Sequence, residues 1–198
     1  MKWQLYDIRQ MTAEEYQKWY ARMDSQRQAR TARFRREDDR KRAVAADSLA
    51  RRMIARWSRA EEDAIVFGSN KFGKPHALGL AVEFNVSHSG DYVACAVDSR
   101  PVGIDVERIR PVSMELAARV CTDEELSYVL AGATSVTDED TLRRFFEVWT
   151  AKEAYFKCLG TGITDLKGVS VLPHILAGGC IHMDSYVLSI FPAVDANG

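Results

Sequence analysis

A chain of 198 residues, 46% hydrophobic and 28% charged, holds enough apolar material for one sizeable core or two small ones and reads as an ordinary soluble globular protein. No apolar run is long enough to cross a bilayer, and the start, Met1-Lys2-Trp3-Gln4-Leu5-Tyr6-Asp7, lacks the apolar stretch of a signal peptide, so a cytoplasmic location is expected. Cys95, Cys121, Cys158 and Cys180 are widely separated and form no CxxC pair, which argues against a zinc site and a disulfide framework and leaves them as reduced packing residues.

The formal net charge is -1, yet 13 Lys and Arg against 5 Asp and Glu fall between Arg22 and Arg59. Such an excess suits an anionic ligand such as a polyphosphate, and equally a solvated helix face. In chain order, Thr12-Ala13-Glu14-Glu15 is a capping box that predicts a helix with Tyr16, Trp19, Tyr20 and Met23 on its apolar side. Between Asp38 and Arg59, Leu49, Met53, Ile54 and Trp57 recur at helical spacing with the arginines on the other faces, and Arg42 lies near the first turn.

From Ile65 the texture changes to short β-prone runs: Ile65 to Phe67, a turn through Gly68 to Pro75, and Val82 to Val86. A turn at Ser87-His88-Ser89-Gly90 leads into Tyr92 to Val97, and another at Asp98 to Pro101 leads into Val102 to Glu107, which reads as an antiparallel meander. Helical periodicity returns after Pro111, with Ser113 as a cap and a second capping box at Thr122-Asp123-Glu124-Glu125. The longest helix is predicted to start between Asp138 and Thr141 and to run to Leu159, where Gly160 and Gly162 stop it. Strands are expected at Gly168 to Leu172 and Ser185 to Phe191, before a short polar tail, Asp195 to Gly198. This order predicts an α+β fold of two halves of similar design, each a small antiparallel sheet packed with helices. The division expected is 1–103, with the basic helix, the GKP turn and the SHS hairpin, and 104–198, with the carboxylate strand, the long helix and the closing strands.

Three constellations can carry chemistry. In Gly103-Ile104-Asp105-Val106-Glu107, strand alternation puts both carboxylates on one face and Ile104 and Val106 on the other. Carboxylates so placed can share a hard cation such as magnesium, which takes oxygen ligands and completes its shell with substrate phosphate. They are equally an amphipathic strand with a wet face. On the long helix the apolar stripe runs through Leu142, Phe145, Phe146, Trp149 and Phe156, and Glu153 falls inside it, so it should face the protein and need a metal or a cationic partner. Lys157, one turn on, offers the plainer alternative of an i,i+4 pair worth about 0.2 to 0.5 kcal/mol. Glu147 and Lys152 fall off the stripe and are expected at the surface. The turns Gly73-Lys74-Pro75 and Ser87-His88 set backbone donors beside a cation or a hydroxyl and can cradle phosphate, or are plain turns.

Together and in order, Gly73-Lys74-Pro75, Phe84-Asn85-Val86-Ser87-His88-Ser89, Gly103 to Glu107 and Trp149-Thr150-Ala151-Lys152-Glu153-Ala154-Tyr155-Phe156-Lys157 resemble the Sfp-type 4′-phosphopantetheinyl transferases. That family's pattern is a GKP turn, FN-[IV]-SHS, G-[IV]-D-[IV]-E and W-x-x-KE-[AS]-x-x-K. The resemblance implies a two-halved, pseudo-twofold α+β fold. It also implies an enzyme that moves the 4′-phosphopantetheine arm of coenzyme A onto a serine hydroxyl of an apo acyl or peptidyl carrier protein, releasing adenosine 3′,5′-bisphosphate. By this resemblance Asp105, Glu107 and Glu153 would hold magnesium, for which manganese could stand in, with Asp105 thereby also part of the coenzyme A site. Lys157 would contact the coenzyme A pyrophosphate, Lys74 and Pro75 would border the adenine, and Ser87 and His88 would meet the phosphates with Arg42 near the 3′-phosphate.

The same resemblance makes Glu153, directly or through a water, the general base toward the serine, and Lys157 a second cation on the pyrophosphate. Arg27 and Arg30 stand where the family often has lysines, and Ala43 where other members can offer a hydroxyl. A monomer is expected, with the site formed by its two halves, acting without nucleic acid or membrane. Two other readings compete. A magnesium-dependent nucleotide phosphohydrolase would share the metal site and turn over without a carrier protein. A non-catalytic module binding RNA or another polyanion is less favoured, because Glu37, Asp38, Asp39 and Asp47 interrupt the arginines and the overall pI is about 6.4.

Overall fold

The computed structural model describes residues 1–192; the polar tail at 195–198 lies outside the described residues. Two compact units, Met1–Val102 and Gly103–Gly198, divide the chain.

In the first unit, β1 (Lys2–Asp7) is followed by α1 (Ala13–Arg22), α2 (Ser25–Ala32) and α3 (Glu37–Ser58), then by β2 (Phe67–Ser69), β3 (Pro75–Ala77), β4 (Glu83–Ser89) and β5 (Tyr92–Asp98). The Thr12 capping box starts α1 as expected, with Thr12 and Glu15 bonded reciprocally. The sheet order is β1-β5-β4, both pairings antiparallel, and β2 and β3 form a separate small hairpin. Phe84, Val93, Cys95 and Val97 from this sheet close a core with Val44, Leu49 and Ile54 of α3 and Trp19 of α1. Burying each large apolar side chain of this kind contributes about 1.5 to 3 kcal/mol.

The second unit opens with β6 (Val102–Arg108) and continues through α4 (Met114–Val120), α5 (Asp123–Leu130), α6 (Glu139–Leu159), α7 (Leu172–Leu176), β7 (Cys180–Met183) and β8 (Tyr186–Pro192). Its sheet order is β6-β8-β7, with β7 and β8 antiparallel. Ser113, Thr122 and Asp138 cap α4, α5 and α6 through their side chains, and Gly160, at φ 69°, ends α6 in the left-handed conformation that glycine adopts without strain. Phe145, Phe146 and Val148 of α6 pack with Val120, Val129, Val171 and Val187 in a core separate from the first.

Several expectations are corrected. The meander stops at β5, because β1 takes the second edge of β5 and β6 lies in the other sheet. Ser87, His88 and Ser89 are not a turn but the last residues of β4, paired with Ala94, Val93 and Tyr92, and only Gly90 and Asp91 turn. The strand expected at Gly168 to Leu172 is absent: Pro173 sits at the start of the short helix α7. Arg51 is not on an outer face of α3. It is 6% exposed and bonds Asp47, which is 3% exposed, at 2.6 Å. Glu147 and Lys152 are likewise buried, at 8% and 0% exposure, since both lie where α6 is covered by α5 or the closing strands.

Candidate active site

Gly103, Asp105 and Glu107 share one face of β6 by strand alternation. A Cβ at Gly103 would lie 1.9 Å from the Ala154 carbonyl oxygen and 2.5 Å from the Cys158 amide nitrogen, so the backbone of α6 runs directly over that face. Glycine is the residue that allows so close a crossing, and a glycine inside a strand pattern is the sequence signal for it. The consequence is that Asp105 is buried, at 3% exposure, beneath a helix. Val102 to Val106 are buried throughout, so the wet-face alternative does not describe β6.

Over this face α6 presents Glu153 and Lys157, one turn apart. The Lys157 ammonium donates to Asp105 Oδ1 at 2.6 Å, and Glu107 accepts from Arg110 at 3.1 Å. Burial pushes the Glu153 carboxyl above its ordinary value; Lys157 opposes this, and the negative charges of Asp105 and Glu107 push it up further. Both strand carboxylates thus act electrostatically on Glu153. Four of the expected residues, Asp105, Glu107, Glu153 and Lys157, are thus gathered in the second unit. Among the described residues no group of three His, Cys, Asp or Glu forms a ready-made metal shell. What fits magnesium is the chemistry of the donors: hard carboxylate oxygens whose mutual repulsion favours an added cation, with an ammonium already drawn to one of them.

The remaining expected residues lie in the first unit. Arg42, in the first turns of α3, donates to the Gly90 carbonyl at 2.5 Å and also bonds Asp39, which places its guanidinium at the β4–β5 turn. His88 stands near that turn and is exposed, whereas Ser87 is 6% exposed, and alternation along β4 sends the two side chains to opposite faces. Lys74 and Pro75 sit where the β2–β3 hairpin returns. Asn70 Oδ1 closes that loop by accepting from the Phe72 and Lys74 amides at 2.9 Å each, and Gly73 takes φ 85°. Arg27 is committed to Asp47 at 2.8 Å with its guanidinium over Phe67, so it is a structural ion pair in this arrangement; Arg30 is exposed. Sequence reasoning missed the Asp47–Arg51 pair, although its i,i+4 spacing was legible, because charges in a helical pattern read as surface, and it missed the Glu125–Lys152 pair because the two partners lie on different helices.

Comparison with known proteins agrees along almost the whole chain. Residues 101–185 match the model of the 4′-phosphopantetheinyl transferase superfamily, and residues 10–100 match that of the 4′-phosphopantetheinyl transferase N-terminal region. The 4′-phosphopantetheinyl transferase Sfp of Bacillus subtilis (strain 168) is 34% identical over 161 residues, 81% of this chain and 70% of that protein. A second 4′-phosphopantetheinyl transferase of Bacillus subtilis is 32% identical over the same coverage, 81% and 70%. The 4′-phosphopantetheinyl transferase HetI of Nostoc is 33% identical over 158 residues, 76% of this chain and 65% of that protein. A mixed α+β chain with small antiparallel sheets against helices, matched to these proteins, is an enzyme of the group-transfer class. It belongs to the 4′-phosphopantetheinyl transferase superfamily.

Proposed function

We propose that this chain moves the 4′-phosphopantetheine arm of coenzyme A to a serine hydroxyl of an apo carrier protein, with Asp105, Glu107, Glu153 and Lys157 as the reacting centre. The observation that carries this reading is the buried Asp105 carboxylate held by Lys157 beneath the same helix that offers Glu153, whose carboxyl is pushed upward. In this reading Glu153, directly or through a water, accepts the serine proton as the serine oxygen attacks the β-phosphorus. The bond from that phosphorus to the bridging oxygen breaks, and adenosine 3′,5′-bisphosphate leaves with the bonding pair. Lys157, a point cation on a flexible stem, moves from Asp105 toward the charge that develops on the leaving phosphate.

Asp105, Glu107 and Glu153 are the residues that would hold magnesium or manganese, which when bound supplies positive charge to the diphosphate. Arg42, Lys74, Pro75, Ser87 and His88 take the nucleotide end of coenzyme A in this reading, so 1–103 serves the nucleotide and 104–198 the chemistry. One chain carries every residue named, so no second copy need supply one. A cytoplasmic setting is supported by the four free cysteines, with burial raising the thiols of Cys95, Cys121 and Cys180 out of the reactive range. No helix among the described residues is long and apolar enough to cross a membrane.

The test is intact-mass analysis of an apo carrier protein incubated with this protein, coenzyme A and magnesium. A mass gain of one phosphopantetheine, with stoichiometric release of the bisphosphate, is expected. Release of the bisphosphate at the same rate without carrier would instead assign a phosphohydrolase.

A further inference from the structure

Glu125 of α5 and Lys152 of α6 form an ion pair in which both side chains are 0% exposed, Nζ to Oε2 at 2.7 Å. Every donor of the ammonium is satisfied, since an ammonium has three N–H groups and Lys152 directs them at Glu125, the Val169 carbonyl at 2.8 Å and the Leu166 carbonyl. Glu125 in turn accepts the Val171 amide at 2.8 Å and the Thr122 amide at 2.8 Å, the second of these being its capping-box bond. The pair therefore joins the start of α5, the middle of α6 and the segment 166–171 at one point. Buried ion pairs are commonly no better for stability than well-packed apolar residues of similar volume, so what this one adds is direction.

We infer that the Glu125–Lys152 pair is a positioning unit that fixes the rotation of α6 about its axis and so aims Glu153 and Lys157 at the carboxylates of β6. At about 100° per residue, Lys152 and Ala154 lie about 200° apart around the helix. One side of α6 is thus gripped by Glu125, and the other is set against β6, where Gly103 meets Ala154 and Cys158. Glu153 lies between the two grips. Freed from one of them, α6 rotating by about 10° would swing a side-chain tip at about 6 Å radius through about 1 Å. A misplacement of about 1 Å at a reacting centre costs about 100-fold in rate. This inference rests on the function proposed above and assigns no group to the chemistry itself.

The test uses the full chain with Glu125→Leu and Lys152→Met combined, a volume-conserving apolar replacement that leaves neither ion unpaired. Carrier loading at saturating carrier gives kcat and the KM for coenzyme A, and thermal unfolding gives Tm. Expected is a kcat lower by about 10- to 100-fold with the KM for coenzyme A within about threefold of wild type, in a variant whose Tm also falls because the Val171 and Thr122 amides and the Leu166 and Val169 carbonyls lose their partners. A folded double variant whose kcat stays within about twofold of wild type overturns the inference, because a merely structural pair would move Tm and leave kcat in place. If the double variant does not fold, Glu125→Gln, which keeps the shape and weakens the grip, is assayed in the same way. It is expected to lose kcat severalfold, and an unchanged kcat overturns the inference. Wild-type protein that loads no carrier overturns the function proposed above together with this inference, whereas loading by wild type and double variant at equal rates overturns this inference alone.

Discussion

Asp105 is buried with a lysine at its side chain and a glutamate on the helix above it, and removal of any of the three should impair carrier loading. Asp105→Ala and Glu153→Ala should each lower carrier loading by at least about 100-fold, with the far-ultraviolet circular dichroism unchanged. Wild-type loading by either variant at limiting magnesium would falsify the assignment of that carboxylate. Lys157→Ala should lower kcat more than it raises KM if, as proposed, its charge meets the charge developing on the leaving phosphate. Gly103→Ala tests the crossing rather than the chemistry. Its methyl would meet backbone at 1.9 Å, so α6 must lift from β6, and both Tm and loading should fall; overpacking of this kind costs about 1 to 3 kcal/mol, readable by urea unfolding. Both carboxylates and the glycine were legible in the sequence, since alternation alone places them on one face. That the face is covered by α6 was not.

At the scale of elements, caps and periodicity were the reliable signals. Thr12, Ser113, Thr122 and Asp138 each accept the backbone bond that starts a helix, as their positions before an acidic or apolar turn imply. β1 and α2 were not read, for physical reasons: β1 is an edge strand that pairs only with β5, and α2, SQRQARTA, buries only Thr31 and so has no apolar stripe to recognise. The closing elements carry a pH dependence. His174 of α7 stacks on Phe191 of β8 with ring centroids 3.9 Å apart, and burial holds its imidazole below the ordinary value of 6.5. The unfolded chain binds a proton there before the fold does, so this stability is complete above about pH 6.5 and is lost as pH falls from there toward the folded value. Urea midpoints at about pH 7.5 and 5.5 should show the loss, and His174→Gln should flatten it. An equal pH slope in the variant would remove His174 as the cause.

Over the whole molecule, five of the 13 Lys and Arg between Arg22 and Arg59 form ion pairs within the first unit. Arg22 pairs with Glu62 and Asp63, Arg27 and Arg51 with Asp47, Lys41 with Glu37, and Arg42 with Asp39. Asp47 is the keystone, and Asp47→Ala should cost about 3 to 5 kcal/mol in urea unfolding because it leaves the buried Arg51 without its counter-ion. A loss below about 1 kcal/mol would mean that Arg51 finds water instead. Chelation tests the proposed metal: with EDTA in excess, carrier loading should stop while Tm holds, since both cores form from apolar side chains. Loading that persists in EDTA would exclude a metal requirement.

The sequence by itself determined the local grammar of this protein: where helices start and stop, which strand carries two carboxylates, and the ordered motifs that mark the superfamily. These are short-range facts, set by caps, by periods of two and of about 3.6 residues, and by residue types at fixed spacing. Only the tertiary structure decided that β1 rather than β6 completes the first sheet, that Arg51 and Lys152 are buried, and that Lys157 reaches Asp105 as well as lying one turn from Glu153. Each of those depends on what the rest of the fold packs against the residue, since even Arg51, paired with Asp47 one turn away, is buried only once the chain around Ile65 closes over it.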